Sequence, residues 1–464
     1  MPVAFRVRVV IGQFLSVPLA LLALASCGGR GAASIDEPTP RSRFPAVPGP
    51  ASDVIATYRR AGLIAEAGPL PFTGLVRFFA GPSPDSTLAL LTLSMANHSL
   101  TFVGEGNQYR ATYRVTMEVQ RGTGMPRRIE ARETVRLSAY RETARGDESI
   151  VFQQFVLMAP GENRIGLVLR DEGSPRMGST SLNLTVPRLE AGTLSSPVLV
   201  YEATARTTRD SLPKLIANPR ATVVFGRDSI LSMYVEGYGL ADGAPIAVLA
   251  LAEVRQLPAW GDTVPLTTRG DLATALLAVP VSNLGAGQLT LAVSAIGSSD
   301  TVRTPLFVSF GEEWAMTSFT DMLSYLRFFA TPEELNALRS ARPERRAAAW
   351  MAFWRSTDPV PTTSENEALR DYFGRVRIAN DRFGEEGTHG WLTDRGRVLL
   401  TLGEPDELFE QDEVSIRQRG RSQIWVYDRY QVRLVFVDQT GFGRWRLTAS
   451  SEADLQSAAR ERRR

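Results

Sequence analysis

Between about Pro71 and Arg188, apolar and polar residues alternate in steps of two. Tyr109, Ala111, Tyr113, Val115, Met117 and Val119 make one face, and Arg110, Thr112, Arg114, Thr116, Glu118 and Gln120 make the other. Successive side chains of an extended chain point to opposite sides, so this run predicts a half-buried antiparallel strand. Ile165, Leu167 and Leu169 repeat the pattern, as do Leu182, Leu184 and Val186, with turn signals at Pro160-Gly161 and Gly173-Ser174-Pro175. A second set, with Leu231, Met233 and Val235 and later Leu289, Leu291, Val293 and Ala295, runs from about Val198 to Phe310. Short strands at this spacing predict two β-sandwiches of immunoglobulin-like type, over residues 51–195 and 196–310.

Near Gly311 the period changes. Phe319, Met322, Leu323, Leu326 and Phe329 fall at helical spacing. Thr331-Pro332-Glu333-Glu334 supplies a cap, a first-turn proline and a glutamate able to reach back, which predicts a helix start. Another helix is expected from Pro343, with Ala347, Trp350, Phe353 and Trp354 on one side. A third follows a Ser364/Glu367 capping box and carries Leu369, Phe373, Val376 and Phe383. Strand-like runs then occupy Arg397 to Leu402, Gln423 to Tyr427, Gln431 to Val437 and Arg444 to Thr448. Residues 311–450 are therefore expected to be an α+β domain with helices first and a small antiparallel sheet after. Residues 451–464, ending in Arg462, Arg463 and Arg464, are expected to be a frayed basic tail.

The first 50 residues follow neither period. Arg6 and Arg8 precede a mostly apolar stretch from Val9 to Leu24, shorter than the ~20 residues of a membrane-spanning helix. Leu24-Ala25-Ser26-Cys27 follows, with Gly28 after it, and Cys27 is the only cysteine in the chain. An aliphatic residue, two small residues and a cysteine in this setting resemble the lipobox of bacterial lipoproteins. That resemblance implies a signal peptide over residues 1–26 and acylation of Cys27, with the membrane as partner through the lipid. Two or three acyl chains hold a protein stably where one does not. Gly28, rather than aspartate, after the cysteine points to the outer membrane. Residues 28–50 are rich in Gly, Pro and Ser without periodicity, as a tether is.

Composition narrows the remaining classes. Net formal charge is +2, and both leader arginines lie outside the mature chain, so nothing favours nucleic acid as a partner. Lys214 is the sole lysine among 52 basic residues, so arginine clusters reflect that bias before they suggest phosphate binding. With two histidines, His98 and His389, and one cysteine, a Cys/His zinc site is disfavoured and no metal or cofactor is expected. Disulfides within the chain are impossible.

Gly390-Trp391-Leu392-Thr393-Asp394-Arg395-Gly396-Arg397, together with Gly403-Glu404-Pro405-Asp406, resembles the GWxTD domain family of bacterial exported proteins. Tyr372, Arg375, Ala379 and Phe383 before the motif, and Trp425, Tyr427 and Phe436 after it, agree with that resemblance, which spans about Gly311 to Thr448. It implies an architecture rather than a reaction. From the residues themselves, Gly390 suits a turn with unusual backbone angles, and Trp391 brings a large apolar body. Thr393 and Asp394 can bond nearby amides. Asp394 can also take a bidentate arginine, for which Arg375 is the candidate. In one reading Gly390, Trp391, Thr393, Asp394, Arg395, Gly396, Gly403, Pro405 and Asp406 form a structural brace. In the other, Trp391 and Asp394 floor a cleft for a peptide or glycan. The chain is expected to be a binding or scaffold protein of the cell envelope with a protein or polymer partner. The alternative is a hydrolase acting on an envelope peptide or glycan through Glu404, Asp406 or His389.

Overall fold

The computed structural model describes residues 50–143, 149–225, 227–252, 258–298, 300–309, 319–363, 366–385, 388–415 and 418–462. The leader, Cys27, the tether and Ser364 lie outside the described residues. Strand accounts for 47% of the described residues, and helices gather in the C-terminal region.

The first unit is a pair of antiparallel sheets. Ile64–Glu66, Phe72–Ala80, Thr87–Ala96 and Ser149–Met158 form one, in that order. Val103–Glu105, Gln108–Arg121, Gly161–Asp171 and Met177–Val186 form the other, with Arg127–Leu137 also paired to Gln108–Arg121. The alternation read from residues 109–119 decides which face is buried. Ala111, Tyr113, Val115, Met117 and Val119 join Leu91, Leu93, Met95, Phe152 and Ile165 in one hydrophobic cluster between the sheets.

Thr87–Ala96 does not alternate, and its residues are buried from Thr87 through Met95. Its second face is covered by the next unit: Phe79, Leu88, Leu90 and Phe155 pack against Val198, Val200, Leu215, Ala217 and Tyr234. That unit again has two sheets. Lys214–Ala217, Val198–Thr204, Ile230–Tyr238, Leu272–Pro280 and Thr267–Arg269 form one. Thr222–Val224, Val302–Ser309, Gly287–Ala295, Pro245–Ala252 and Pro258–Pro265 form the other. Thr222–Val224 runs parallel to Val302–Ser309.

An ion pair is buried where the two units meet. Arg206 Nε and Nη2 donate to Glu236 Oε1 and Oε2 at 2.9 and 2.8 Å, with both side chains at most 1% exposed. The remaining guanidinium hydrogens go to the carbonyls of Ala80, Arg209 and Ser211. The hydroxyls of Tyr234 and Tyr238 also donate to Glu236, and the Ala80 amide donates to Tyr238 Oη. Burial alone would lower the Arg206 pKa, but bonding to the Glu236 carboxylate and its charge hold it above the ordinary value.

The third region begins with helices. Phe319–Tyr325, Pro332–Ser340, Pro343–Thr357 and Glu367–Phe383 appear where the helical spacing predicts them. The Thr331/Glu334 capping box closes in both directions. The cap of Glu367–Phe383 is Asn366, whose side chain accepts from the Leu369 amide at 2.9 Å, in place of the expected serine box. Trp350 and Trp354 meet Phe225 at ring separations of 6.0 and 5.2 Å, so one apolar cluster continues from the second unit into the helices.

Three expectations change here. Arg397 to Leu402 is helical, within Asp394–Leu402. Its Val, Leu and Thr residues suit a strand, but Thr393 caps a helix in front of them and Val398, Leu399 and Leu402 then fall on one buried side. Glu407–Ser415, too acidic to read as a strand, opens the sheet instead. Gln418–Tyr427, Val432–Asp438 and Arg446–Leu447 follow in order, each antiparallel to the last. The supposed frayed tail forms the helix Ala449–Arg462, because Leu455 and Ala458 bury one stripe against the domain core.

Candidate functional site

The motif sits where Glu367–Phe383, Asp394–Leu402 and the sheet converge. Its first three residues form a single tight turn, Gly390–Leu392. Gly390 is needed for proximity rather than for unusual angles: a Cβ there would lie 1.8 Å from the Ala379 carbonyl oxygen. Gly396 has the same role, with the Gly390 oxygen 1.9 Å from where its Cβ would stand. These two absences of side chain let helix, turn and helix touch through their backbones.

Trp391 is 5% exposed. Its ring stacks on Tyr325 at 4.7 Å, meets Phe328 edge-on at 6.2 Å and lies under the Arg327 guanidinium at 4.6 Å. Its backbone amide donates to Asn380 Oδ1 at 3.2 Å. Thr393 Oγ1 donates to the Gly390 carbonyl at 2.7 Å and accepts from the Gly396 amide at 3.1 Å, so one hydroxyl closes the turn and starts the helix.

Asp394 lies in the first turn of that helix, where a carboxylate is favoured. It reaches across to the sheet, its Oδ2 accepting from the Leu447 amide at 2.8 Å. Its arginine neighbour is Arg397, at 3.6 Å. Arg375 does not pair with it. Arg375 donates to the Asp371 carbonyl and stands beside Gly403, at the far end of the same helix, and nine residues of helix separate the two ends by roughly 12 Å. Arg397 forms a two-pronged ion pair with Glu452, tying Asp394–Leu402 to Ala449–Arg462. The Arg395 guanidinium lies 4.9 Å from the Phe383 ring centre and 5.1 Å from that of Trp445. Burial pushes its pKa down, opposed by Glu385, Glu410 and Asp438.

Gly403 ends the helix at φ +95°, a conformation suited to glycine, and its carbonyl accepts from the Tyr427 hydroxyl at 2.9 Å. Pro405, half-buried, leads into the first strand. Asp406 Oδ2 accepts from the Asp428 amide at 2.8 Å, and Glu404 takes Arg382 at 2.8 Å. His389 is half-buried in front of the turn, where its carbonyl accepts from the Leu392 amide.

This arrangement has a family counterpart. Residues 298–445 are a GWxTD domain. No curated protein matches this chain. The GWxTD domain thus takes in Val302–Ser309, the strand that lies between Thr222–Val224 and Gly287–Ala295 in a sheet of the preceding unit. Its eponymous residues are brought together by the fold: Gly390, Trp391 and Thr393 contact backbone and rings within residues 298–445, and Asp394 reaches just beyond them to the Leu447 amide. The buried Arg206–Glu236 pair lies outside the domain and went unread in the sequence. Its one visible sign is a glutamate between two tyrosines, at Tyr234, Glu236 and Tyr238, in a mostly apolar strand.

Proposed function

We propose that this chain is an exported binding or scaffold protein of the cell envelope, held to the outer membrane by lipid on Cys27 and built to present a rigid surface to a protein or polymer partner. The observation that carries the reading is continuity of packing. Apolar contact and the hydrogen bonds of the Ala80 backbone to Arg206 and Tyr238 join the first unit to the second, and one apolar cluster joins the second to the GWxTD domain. Interfaces this thoroughly packed suppress relative motion, as a scaffold requires. The immunoglobulin-like assignment is part of the proposal. In the second unit it is supported by Val198–Thr204, Ile230–Tyr238 and Leu272–Pro280 lying together, opposite Val302–Ser309, Gly287–Ala295 and Pro245–Ala252.

The rival hydrolase reading finds less support. Glu404 is paired with Arg382, and Asp406 is engaged by the Asp428 amide in a turn. Cys27→Ser is expected to abolish incorporation of labelled palmitate and to leave the leader attached, read by autoradiography and by the mass of the product. Palmitate uptake by the variant would end the lipoprotein reading.

A further inference from the structure

A cleft opens where the free edges of the first two units face each other. Ser149–Met158 is the last strand of its sheet, and Lys214–Ala217 is the last strand of the sheet opposite. Gln153 bridges the two edges, its amide donating to the Leu215 carbonyl at 2.7 Å and accepting from the Ala217 amide at 3.3 Å. Beyond that bridge lies a cleft of about 130 Å3, walled by Leu88, Phe155 and Leu157 on one side and by the loop from Arg209 to Leu212 on the other, room for one apolar side chain rather than for a whole small-molecule ligand.

The floor is apolar. Leu88 and Phe155 belong to the core between the units, and Leu157 and Leu212, 39% and 38% exposed, flank it. The rim carries Arg209 and Asp210. Neither side chain has an ion-pair or hydrogen-bond partner among the described residues. The Arg209 guanidinium rests 5.1 Å from the centre of the Tyr238 ring, which leaves its N–H donors for another acceptor. The loop that carries both residues is set in place by Arg206, which grips the Arg209 and Ser211 carbonyls while bonded to Glu236. The buried ion pair therefore shapes one wall of the cleft.

We propose that this cleft binds an extended peptide segment in which an apolar side chain stands beside a carboxylate, a site that rests on the reading of the chain as a binding protein. The apolar side chain fills the floor over Leu88 and Phe155, and the carboxylate takes the Arg209 fork. The edge strand Ser149–Met158, which lines the cleft from Gln153 to Leu157, offers main-chain groups to a peptide, and Asp210 can accept from a peptide amide. A fatty acid would use the floor and Arg209 but neither the strand edge nor Asp210.

The test uses the mature chain with Cys27→Ser and a fluorescein-labelled, amidated peptide, Ala-Val-Leu-Glu-Val, read by anisotropy. Saturable one-to-one binding is expected. Changing the peptide's glutamate to glutamine should weaken it about tenfold, the scale of one charge-assisted bond. Arg209→Gln should weaken the original peptide equally and the glutamine peptide no further. Leu212→Glu should abolish binding. Arg209→Gln keeps the carbonyl that Arg206 holds, so its urea midpoint should match the parent. An absent interaction, or one indifferent to Arg209, overturns the proposal. So does saturable binding of dodecanoate in the cleft with no binding of the peptide, which would make this a lipid site. Palmitate labelling of the Cys27 parent is read separately, so loss of the anchor reading and loss of the cleft are distinguishable.

Discussion

Glu236→Ala is expected to cost on the order of 3–5 kcal/mol, among the largest losses available from one substitution in this chain. It leaves the Arg206 guanidinium at most 1% exposed with its carboxylate gone, and leaves two tyrosine hydroxyls without their acceptor. A charge removed from water needs its partner, and the three carbonyls that remain on Arg206 supply only part of what the carboxylate did. Arg206→Met combined with Glu236→Leu should cost much less than the sum of the single changes, because no charge is then stranded. Urea unfolding of the parent, both single variants and the double variant measures the coupling. Additive losses would mean that the pair does not act as a unit. Because the pair also holds the loop from Arg206 to Ser211, Glu236→Ala should make that loop a preferred site of early proteolytic cleavage.

How much of this was legible beforehand depends on how far apart the interacting residues are. The alternation at residues 109–119 names its own buried face, since period and pleat are both local. The capping box at Thr331 and Glu334 is equally local. Ile230–Tyr238 shows where local reading stops. Leu231, Met233 and Val235 mark one face as core, but Tyr234, Glu236 and Tyr238 on the other face are buried as well, by a neighbouring unit. No pattern within the strand reveals that neighbour, and Arg206 lies 30 positions from Glu236. The helix Asp394–Leu402 failed for another reason. Its side chains have strand-like preferences, and the cap in front of them outweighs a weak intrinsic scale. The motif was visible as a motif, but Gly390 was read for backbone angles. The actual requirement at Gly390 is a carbonyl from a helix that began more than 20 residues earlier.

Substitutions within the motif separate brace from ligand site. Trp391→Ala removes an aromatic body packed among Tyr325, Phe328 and Arg327, and truncations of this kind cost roughly 3–5 kcal/mol. Gly390→Ala is expected to be comparably severe despite adding one methyl group, because that carbon would occupy the space of the Ala379 carbonyl and the two helices would have to separate. Thr393→Val loses the helix cap, at about 1 kcal/mol, and leaves the Gly390 carbonyl without its hydroxyl donor. Asp394→Asn should be mild. The side chain is 29% exposed, and an amide oxygen can still accept from the Leu447 N–H, so little beyond a screened attraction to Arg397 is lost. This order, with Trp391 and Gly390 severe, Thr393 intermediate and Asp394 slight, is a signature of packing. A ligand site predicts a different order, with little change in stability and binding lost most sharply at Asp394 and Trp391, because functional groups are seldom placed for stability. Urea midpoints of the four variants, with partner capture scaled to the folded fraction, decide between them. Unchanged midpoints at Trp391 and Gly390 would remove the brace. With the brace in place, the partner surface proposed for this chain falls outside the motif, and the cleft beside Arg209 sets an apolar floor next to a charge that has no ion-pair partner among the described residues.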